Sequence, residues 1–385
     1  MNRRSFLSAG CACCAALFAA AVRAQEEPWR MPARFTRPGI ATDEGGLWAL
    51  MDREERRLRR GPFALRDPAL RGYVQDIACR LAGDHCPDLR VHLVRTPLFN
   101  ASMAPNGMMM VWTGLMLRME NEAQFAAVLG HEIGHYLQRH TLERLRDAKS
   151  RSAFGQFFGL FGLPGAVGQL VLLASAFGYS RDQEREADRV GVILMRNAGY
   201  DPAEAANVWS NLLAEIKARP DGGEESGIPM FATHPGVDER RETLAALAKE
   251  APGGAANADT WRERIRPFRR EWLAEELKRG QHEESIALLT RMISDSPSQP
   301  DYLYARGEAY RLRAKDKDLD AALADFQAAA TLGGEPPETH RALAMVYRQR
   351  SQFAEARASF QRYLEAAPAA PDSLMIQSYV EELGK

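Results

Sequence analysis

Hydrophobic residues recur at helical spacing over most of the chain. Between residues 42 and 83 they follow the three- and four-residue spacing of an amphipathic helix, with breaks at Gly61-Pro62 and Asp67-Pro68. A second pattern of the same kind covers residues 120–144. We therefore expect separate helices in the first window and one long helix in the second.

A short stretch between these windows changes to the two-residue period of a strand. Residues 89–95 alternate between apolar and polar side chains. Asn106-Gly107 then separates two apolar runs, the second of which is Met108–Trp112, and this dipeptide is typical of a tight hairpin turn. The pattern predicts a small β-hairpin or sheet among helices.

An uncharged run covers residues 152–180. It is longer than a membrane span, but the Gly-Leu-Pro-Gly sequence at 162–165 interrupts it, so each half is too short to cross a bilayer. Two interpretations stay open. The run is either a buried helical hairpin or a lid or membrane-touching surface near the functional site.

The last third of the chain has an internal repeat. Residues 251–261 are rich in Ala, Gly and Asn, which predicts a linker. In residues 262–385, apolar and small positions then recur with a period of about 34 residues. These repeats resemble tetratricopeptide repeats, which are helix pairs that stack into a curved array with a peptide-binding concave face. A generic helical bundle is the alternative.

Composition places the chain among globular proteins. Of its 385 residues, 45% are hydrophobic and 26% are charged, and the formal net charge is −1. Because there is no charge excess, no long-range field attracts nucleic acid, and we expect no nucleic-acid partner. The length allows two or three domains.

The first 24 residues have the features of an export signal. Arg3-Arg4 precedes an apolar, alanine-rich run, and residues 22–24 match a cleavage site, a pattern that resembles the twin-arginine export motif. It predicts a periplasmic protein. A retained membrane anchor is the main alternative, and lipid modification at Cys11 is a weaker one. After cleavage Cys79 and Cys86 remain, either as a disulfide or as two free thiols.

The candidate chemistry begins at residues 131–135. They read His-Glu-Ile-Gly-His, so two imidazoles lie one turn apart on the same face of a helix. This spacing lets His131 and His135 bind one zinc ion. Glu132 would lie beside the metal, where it holds and deprotonates a water molecule.

An acidic pair follows the uncharged run. Glu184 and Asp188 are four residues apart and share one helical face, which on its own would also suit a solvated helix. Hydrolases with the His-Glu-x-x-His pattern commonly take a third zinc ligand from a carboxylate on another helix and use a further carboxylate to orient an imidazole. We therefore expect Glu184 to bind zinc and Asp188 to hold a ligand histidine.

Together these motifs resemble the zinc metallopeptidase family that includes the CAAX prenyl protease and HtpX. The matching positions are residues 131–135 and 180–188, Asn100-Ala101, and His234-Pro235 with Arg240 six residues after His234. The resemblance covers about residues 40–250. It implies one zinc ion per chain in a mainly α-helical, gluzincin-type peptidase domain with a small β-hairpin or sheet.

The resemblance also implies roles for two later residues. His234 would either hydrogen-bond the oxyanion of the transition state or bind zinc as a fourth ligand that keeps the site closed, and packing in a turn is the alternative. Arg240 would anchor its loop through a carboxylate or a carbonyl.

Substrate binding is expected at the predicted hairpin. In this interpretation the substrate backbone adds to an edge strand formed by Met108–Trp112, next to Asn100. Met108, Met110 and Trp112 would then face the substrate side of the site.

These observations predict an exported zinc metalloendopeptidase with a repeat domain. Residues 1–24 would be the signal peptide, 25–250 the peptidase domain, 251–261 the linker and 262–385 the repeats. Its substrates would be misassembled or stalled envelope proteins. Exported relatives with such repeats imply the outer-membrane barrel assembly machinery as a partner. The alternatives are a repeat-based assembly factor with a gated protease site, and a membrane-associated processing peptidase that uses the uncharged run.

Overall fold

The computed structural model describes residues 29–150, 178–220, 230, 234, 236–250 and 252–384. At 148–150 and 237 it describes the backbone only. The predicted signal peptide and almost all of the uncharged run lie outside these residues. Residues 34–385 belong to one compact unit. Residues 29–33, from the other unit, contain no helix or strand. Among the described residues, no helix has the length and apolar content needed to cross a membrane.

The first helical window contains two helices, as predicted. Helix α1 is Asp43–Arg60 and α2 is Pro68–Ala82. Each begins at a capping side chain, since Thr42 accepts a hydrogen bond from the Gly45 N–H and Asp67 accepts one from the Leu70 N–H. A 3₁₀ turn, Gly83–Asp88, follows α2.

Cys79 and Cys86 form a disulfide that ties the end of α2 to the following turn. The sequence left this pair open between a disulfide and two free thiols, and the structure decides for the disulfide. Such a bond is typical of a protein that works in an oxidising compartment.

Four short strands form one mixed sheet. They are β1 Ala64–Leu65, β2 Arg90–Val94, β3 Ala101–Met103 and β4 Met108–Trp112. The strand order is β1-β2-β4-β3, with β2 and β4 parallel and the two outer pairs antiparallel. The predicted strand at 89–95 and the predicted hairpin are therefore confirmed.

The prediction that Met108–Trp112 is the substrate edge strand is wrong. This strand, β4, pairs with β2 on one side and β3 on the other, and all five of its residues are buried. Met108, Met110 and Trp112 pack in the core with α1. An unbroken apolar run is typical of a strand buried on both faces. The edge on this side is β3, and Asn100 directly precedes it.

The turn between β3 and β4 requires its glycine. Gly107 has φ +85°, and a Cβ there would lie 2.0 Å from the carbonyl oxygen of Asp88. The Asn106 side chain accepts a hydrogen bond from the Met108 N–H. These contacts fix the position of β3 against the rest of the sheet.

The second helical window is interrupted, which corrects the prediction of one long helix. After α3, Thr113–Arg118, helix α4 is Glu122–Leu137 and α5 is His140–Ser150. Between α4 and α5, Arg139 adopts the left-handed conformation with φ 58°. Three more helices of the predicted peptidase domain lie among the described residues. They are α6 Arg181–Asn197, α7 Ala203–Lys217 and α8 Val237–Glu250.

The segment predicted to be a linker is attached to the predicted peptidase domain by backbone hydrogen bonds. Ala255 receives one from the Asp201 N–H and donates one to Gly199, and Ala256 receives one from Ala123. Helix α9, Ala258–Ile265, begins inside the predicted range. Composition alone therefore missed the ordered contacts of this segment.

The C-terminal region consists of helix pairs followed by a last helix. The pairs are α10 Arg269–Lys278 with α11 His282–Asp295, α12 Pro300–Arg313 with α13 Asp318–Leu332, and α14 Glu338–Gln349 with α15 Phe353–Ala366, and the last helix is α16 Ser373–Glu382. Gly307 shows why small residues recur, because a Cβ there would lie 2.5 Å from the Phe326 ring. The helical C-terminal region fits the predicted fold class, and the tetratricopeptide assignment stays a prediction.

Candidate metal centre

Two helices approach each other closely at the candidate site. A Cβ on Gly134 of α4 would lie 2.9 Å from the carbonyl oxygen of Ala187 on α6. In turn, a Cβ on Gly191 of α6 would lie 3.0 Å from the backbone nitrogen of His131. The glycines therefore let the two backbones nearly touch, which brings the His-Glu-x-x-His motif against the acidic pair.

Ser180 fixes where α6 begins. Its side chain accepts a hydrogen bond from the Gln183 N–H, while the Gln183 side chain bonds back to Ser180 in a capping box. Glu184 then lies near the start of the helix and Asp188 one turn later. Both carboxylates are buried, in agreement with the predicted shared face.

Four buried side chains converge at the centre of the site. They are His131, His135, Glu184 and His234, and one ligand atom from each lies within 4.8 Å of all the others. The Nε2 atoms of His131 and His135 are 3.0 Å apart, and Glu184 Oε1 is 3.4 Å from His135 Nε2. Two nitrogens bound tetrahedrally to one zinc ion lie about 3.3 Å apart, so the group suits a single metal ion.

The protonation of this group also suits a cation. Burial lowers the pKa of His131 to about 4 and that of His135 well below its ordinary value, so both imidazoles are neutral at neutral pH. Burial alone would raise the pKa of Glu184, but the charges of His234 and Arg240 hold it well below the usual range. The set therefore offers neutral nitrogens and an anionic carboxylate.

A buried ion pair supports the first ligand histidine. Asp188 Oδ1 lies 2.8 Å from His131 Nδ1. Arg240 binds both oxygens of Asp188, at 2.6 and 2.9 Å, and its Nη1 is 3.1 Å from Glu184 Oε2. The Arg240 guanidinium also lies over the Trp209 ring, 4.1 Å from its centroid. Arg240 thus links the two acidic residues at the metal group.

A second histidine supports His135, and the sequence did not predict it. His140 Nδ1 is 2.8 Å from His135 Nδ1, and His140 Nε2 is 3.3 Å from Glu186. Continuing the helix past Leu137 would turn His140 away, but the break at Arg139 returns it to the site. The Tyr179 ring stacks on His135 with centroids 3.7 Å apart. A left-handed arginine gives no sequence signal that would have revealed this contact.

Glu132 lies between the metal group and β3. Its carboxylate accepts a hydrogen bond from the Met103 backbone, and its Oε1 is buried without a hydrogen-bond partner among the described residues. Burial raises the pKa of Glu132 to about 7. A carboxylate with this pKa both accepts and donates a proton near neutral pH.

His234 is brought into the site from a distant part of the chain. Its Nδ1 is 3.1 Å from His131 Nε2 and 3.0 Å from Glu184 Oε1, and its Nε2 is 3.5 Å from Glu132 Oε1. Burial would lower the pKa of His234, but the carboxylates of Glu184 and Glu132 raise it above the ordinary value. Spacing in the sequence could not assign this position, because His234 lies 50 residues after Glu184.

The sequence of this region matches a known family. Residues 64–248 match the description "Peptidase family M48". This region is therefore similar to the M48 peptidases. The M48 peptidases are zinc-dependent, and the convergence of two imidazoles and a buried carboxylate shows that this chain retains the residues such an ion needs. The buried group therefore fits the metal-dependent chemistry of the family that this region resembles.

Curated relatives of two kinds share the M48 region. The chain is 33% identical to the mitochondrial metalloendopeptidase OMA1 of Arabidopsis thaliana over 155 residues, which are 40% of this chain and 30% of that protein. It is 27% identical to the putative beta-barrel assembly-enhancing protease of Vibrio cholerae over 262 residues, which are 63% of this chain and 52% of that protein. It is 26% identical to the beta-barrel assembly-enhancing protease of Escherichia coli K12 over 251 residues, which are 59% of this chain and 50% of that protein. The chain therefore spans about half the length of these relatives or less.

Proposed function

We propose that this chain is an exported zinc endopeptidase that cleaves misassembled or stalled envelope proteins. The observation that carries the proposal is the buried group of two histidines and a glutamate with Glu132 beside it. Support for the substrate class comes from the relatives named for beta-barrel assembly. The twin-arginine-like N-terminus and the Cys79–Cys86 disulfide support export to the periplasm.

In this proposal His131, His135 and Glu184 hold zinc, and Asp188 and Arg240 keep the ligands in place. Zinc, when bound, supplies a Lewis acid that polarises the scissile carbonyl. Glu132 takes the proton from the attacking water and later donates it to the leaving amine nitrogen. Its pKa of about 7 suits both transfers.

The substrate would pair with β3. Asn100 accepts a hydrogen bond from Trp112 and Ala104 donates one to Met108, so the even-numbered residues of this stretch bond to β4. In an antiparallel pair the intervening residues, Ala101 and Met103, direct their backbone groups to the free side. The hydrogen bond from the Met103 backbone to Glu132 supports this pairing, because it joins the free side of β3 to the proposed catalytic carboxylate.

The experiment that tests the proposal replaces Glu132 by Gln. The variant should keep its zinc, because Glu132 is not a proposed ligand, but should lose hydrolysis of an unfolded protein such as casein. Zinc content and cleavage are measured on the same preparation. Full proteolysis by the Glu132→Gln variant would refute the mechanism.

The contacts of His234 favour a second candidate function, a repeat-based assembly factor whose protease site is gated. His234 lies among the three proposed ligands, where a fourth ligand would lie, although its contact with Glu132 also suits oxyanion binding. In His234→Ala, increased proteolysis would support the gate, and a loss of kcat with zinc retained would support oxyanion binding. Function of the Glu132→Gln variant in cells would favour the assembly factor.

We further propose that the helix pairs of residues 262–385 dock substrates or the outer-membrane barrel assembly machinery. The paired helices and the predicted tetratricopeptide period support this role. The rival membrane-associated peptidase depends on residues 152–180, and nearly all of them lie outside the described residues. Carbonate-resistant membrane association of the mature chain would support that rival.

A further inference from the structure

A groove runs along the C-terminal helix pairs. It is lined by the first helices of two successive pairs, α12 and α14, and by the start of α16, and its volume is about 460 Å³. The first helices of stacked pairs form one continuous face of such an array. The groove is large enough for several side chains of a peptide.

Three arginines line the groove, and two of them are neutralised. Arg311 binds both oxygens of Glu308, at 2.8 and 2.9 Å. Arg341 binds Asp372 at 2.6 Å. Because these acids also line the groove, the two pairs leave little net charge.

Arg348 is different from the other two arginines. No carboxylate lies within ion-pairing distance of it among the described residues, and its guanidinium carbon instead lies over the Tyr379 ring, 4.4 Å from the centroid. A cation–π contact of this kind holds the guanidinium in place without using its N–H donors, which suit a planar acceptor. The surplus positive charge of the groove is therefore held at one preorganised guanidinium.

Apolar side chains lie beside this charge. Met345 and Met375 line the groove, and Met375 is 47% exposed. The neighbouring Leu374 is 79% exposed. Flexible methionines are well suited to contact apolar side chains of varied shape. The groove thus combines one unpaired cation with an adaptable apolar surface.

From this charge complementarity we infer that the groove binds an extended peptide segment of a partner protein, with an aspartate or glutamate side chain on Arg348 and an apolar side chain on the methionines. The carboxylate would form a charge-assisted bond with the guanidinium. This inference rests on the docking role proposed above for the helix pairs. Binding is measured without hydrolysis, so its outcome is independent of the protease mechanism.

Arg350 supplies a matched control. It lies two residues from Arg348, at the end of the same helix, but its guanidinium pairs with Asp320 and it does not line the groove. Arg350→Ala therefore removes the same charge from the same part of the chain. A difference in peptide affinity between the two variants would therefore come from the groove and not from the overall charge.

The test uses pools of short fluorescein-labelled peptides, acetylated and amidated at their ends, with random residues around one fixed position. The fixed residue is glutamate, glutamine or lysine. Retention of each pool is measured on the full chain carrying Glu132→Gln, which prevents cleavage. The glutamate pool should bind more tightly than the glutamine pool. Arg348→Ala should reduce the affinity for the glutamate pool about tenfold, while Arg350→Ala leaves it unchanged.

Several results would overturn the inference. Equal retention of the glutamate and glutamine pools would show that the groove does not recognise a carboxylate. Preference for the lysine pool would show that Glu308 and Asp372 bind the peptide instead. Equal effects of Arg348→Ala and Arg350→Ala would show nonspecific attraction. A free C-terminal carboxylate is tested with the glutamine pool left unamidated, and tighter binding there than in the amidated glutamate pool would contradict the side-chain assignment.

Discussion

Each histidine of the motif that is proposed to bind zinc contacts a buried side chain of its own. His131 is held by Asp188, which is held in turn by Arg240. His135 is held by His140, which contacts Glu186. Such partners fix the orientation of an imidazole and its tautomer before the metal arrives.

Replacing His140 by Ala should weaken zinc binding by about tenfold or more, because His135 loses the partner that orients its ring. The affinity is measured by competition with a chelator of known strength. His340→Ala is the control. His340 lies in the C-terminal helix pairs, away from the metal group, where it pairs with Glu335. Equal zinc affinity of the His140→Ala variant and the control would show that His140 does not position the ligand.

The sequence predicted the site residues that share a helix turn and missed those that depend on a change of chain direction. His131 and His135 were predicted from their four-residue spacing. Glu184 and Asp188 were predicted from the same spacing together with the His-Glu-x-x-His motif. His140 was not, because its position follows from a left-handed residue at Arg139. His234 and Arg240 came only from the family resemblance.

At the scale of elements, α1 is attached to the sheet through one buried carboxylate. Glu55 of α1 accepts hydrogen bonds from Arg90 and His92 of β2, at 2.7 to 3.1 Å. Burial would raise the pKa of Glu55, but the bonds from His92 and Arg90 lower it to about 2. The attachment therefore depends on an ionised glutamate.

This attachment should make stability depend on pH. The folded-state pKa of Glu55 lies below its ordinary value of 4.5, so its contribution is complete above that pH and is lost as the pH falls towards about 2. Glu55→Gln should cost about 2 kcal/mol in the free energy of unfolding at neutral pH and clearly less near pH 3. Urea unfolding at both pH values measures this. The exposed Glu242→Gln is the control, and a pH-independent loss in the Glu55 variant would contradict the account.

The sheet shows what a strand pattern leaves undetermined. The apolar run of β4 correctly predicted a strand, and Asn106-Gly107 correctly predicted the turn. Neither specifies which strand of the hairpin is central, because that depends on β2 pairing in parallel from another part of the chain. The proposed substrate edge is consequently β3 and not β4.

At the scale of the whole molecule, a buried ionic network joins the predicted peptidase domain to the helix pairs. Arg118 of α3 binds Glu215 of α7 at 2.7 Å and Glu276 of α10 at 2.9 Å. Arg291 of α11 binds the other oxygen of Glu215 at 2.9 Å. The Trp261 indole donates a hydrogen bond to the Met119 carbonyl nearby. The period of the repeats predicted the helix pairs but could not reveal this interface, whose partners are far apart in sequence.

Removing the central cation of this network should destabilise the protein strongly. Arg118→Met leaves two buried carboxylates with fewer counter-charges, which costs about 3 kcal/mol in the free energy of unfolding. Urea denaturation monitored by tryptophan fluorescence measures the loss. Arg266→Met, at an exposed arginine of the same region, should change stability by less than about 0.5 kcal/mol. Equal stability of the two variants would mean that the network does not hold the regions together.

The central claim is that His131, His135 and Glu184 hold one zinc ion, and the zinc-to-protein ratio of Glu184→Gln tests it most directly. The matched control is Asp182→Asn, which changes an exposed carboxylate two residues earlier on the same helix. The wild type and the control should carry about one zinc ion per chain. Glu184→Gln should carry almost none after dialysis, while its circular dichroism spectrum shows that it is still folded. A full zinc complement in the folded Glu184→Gln variant would contradict the account.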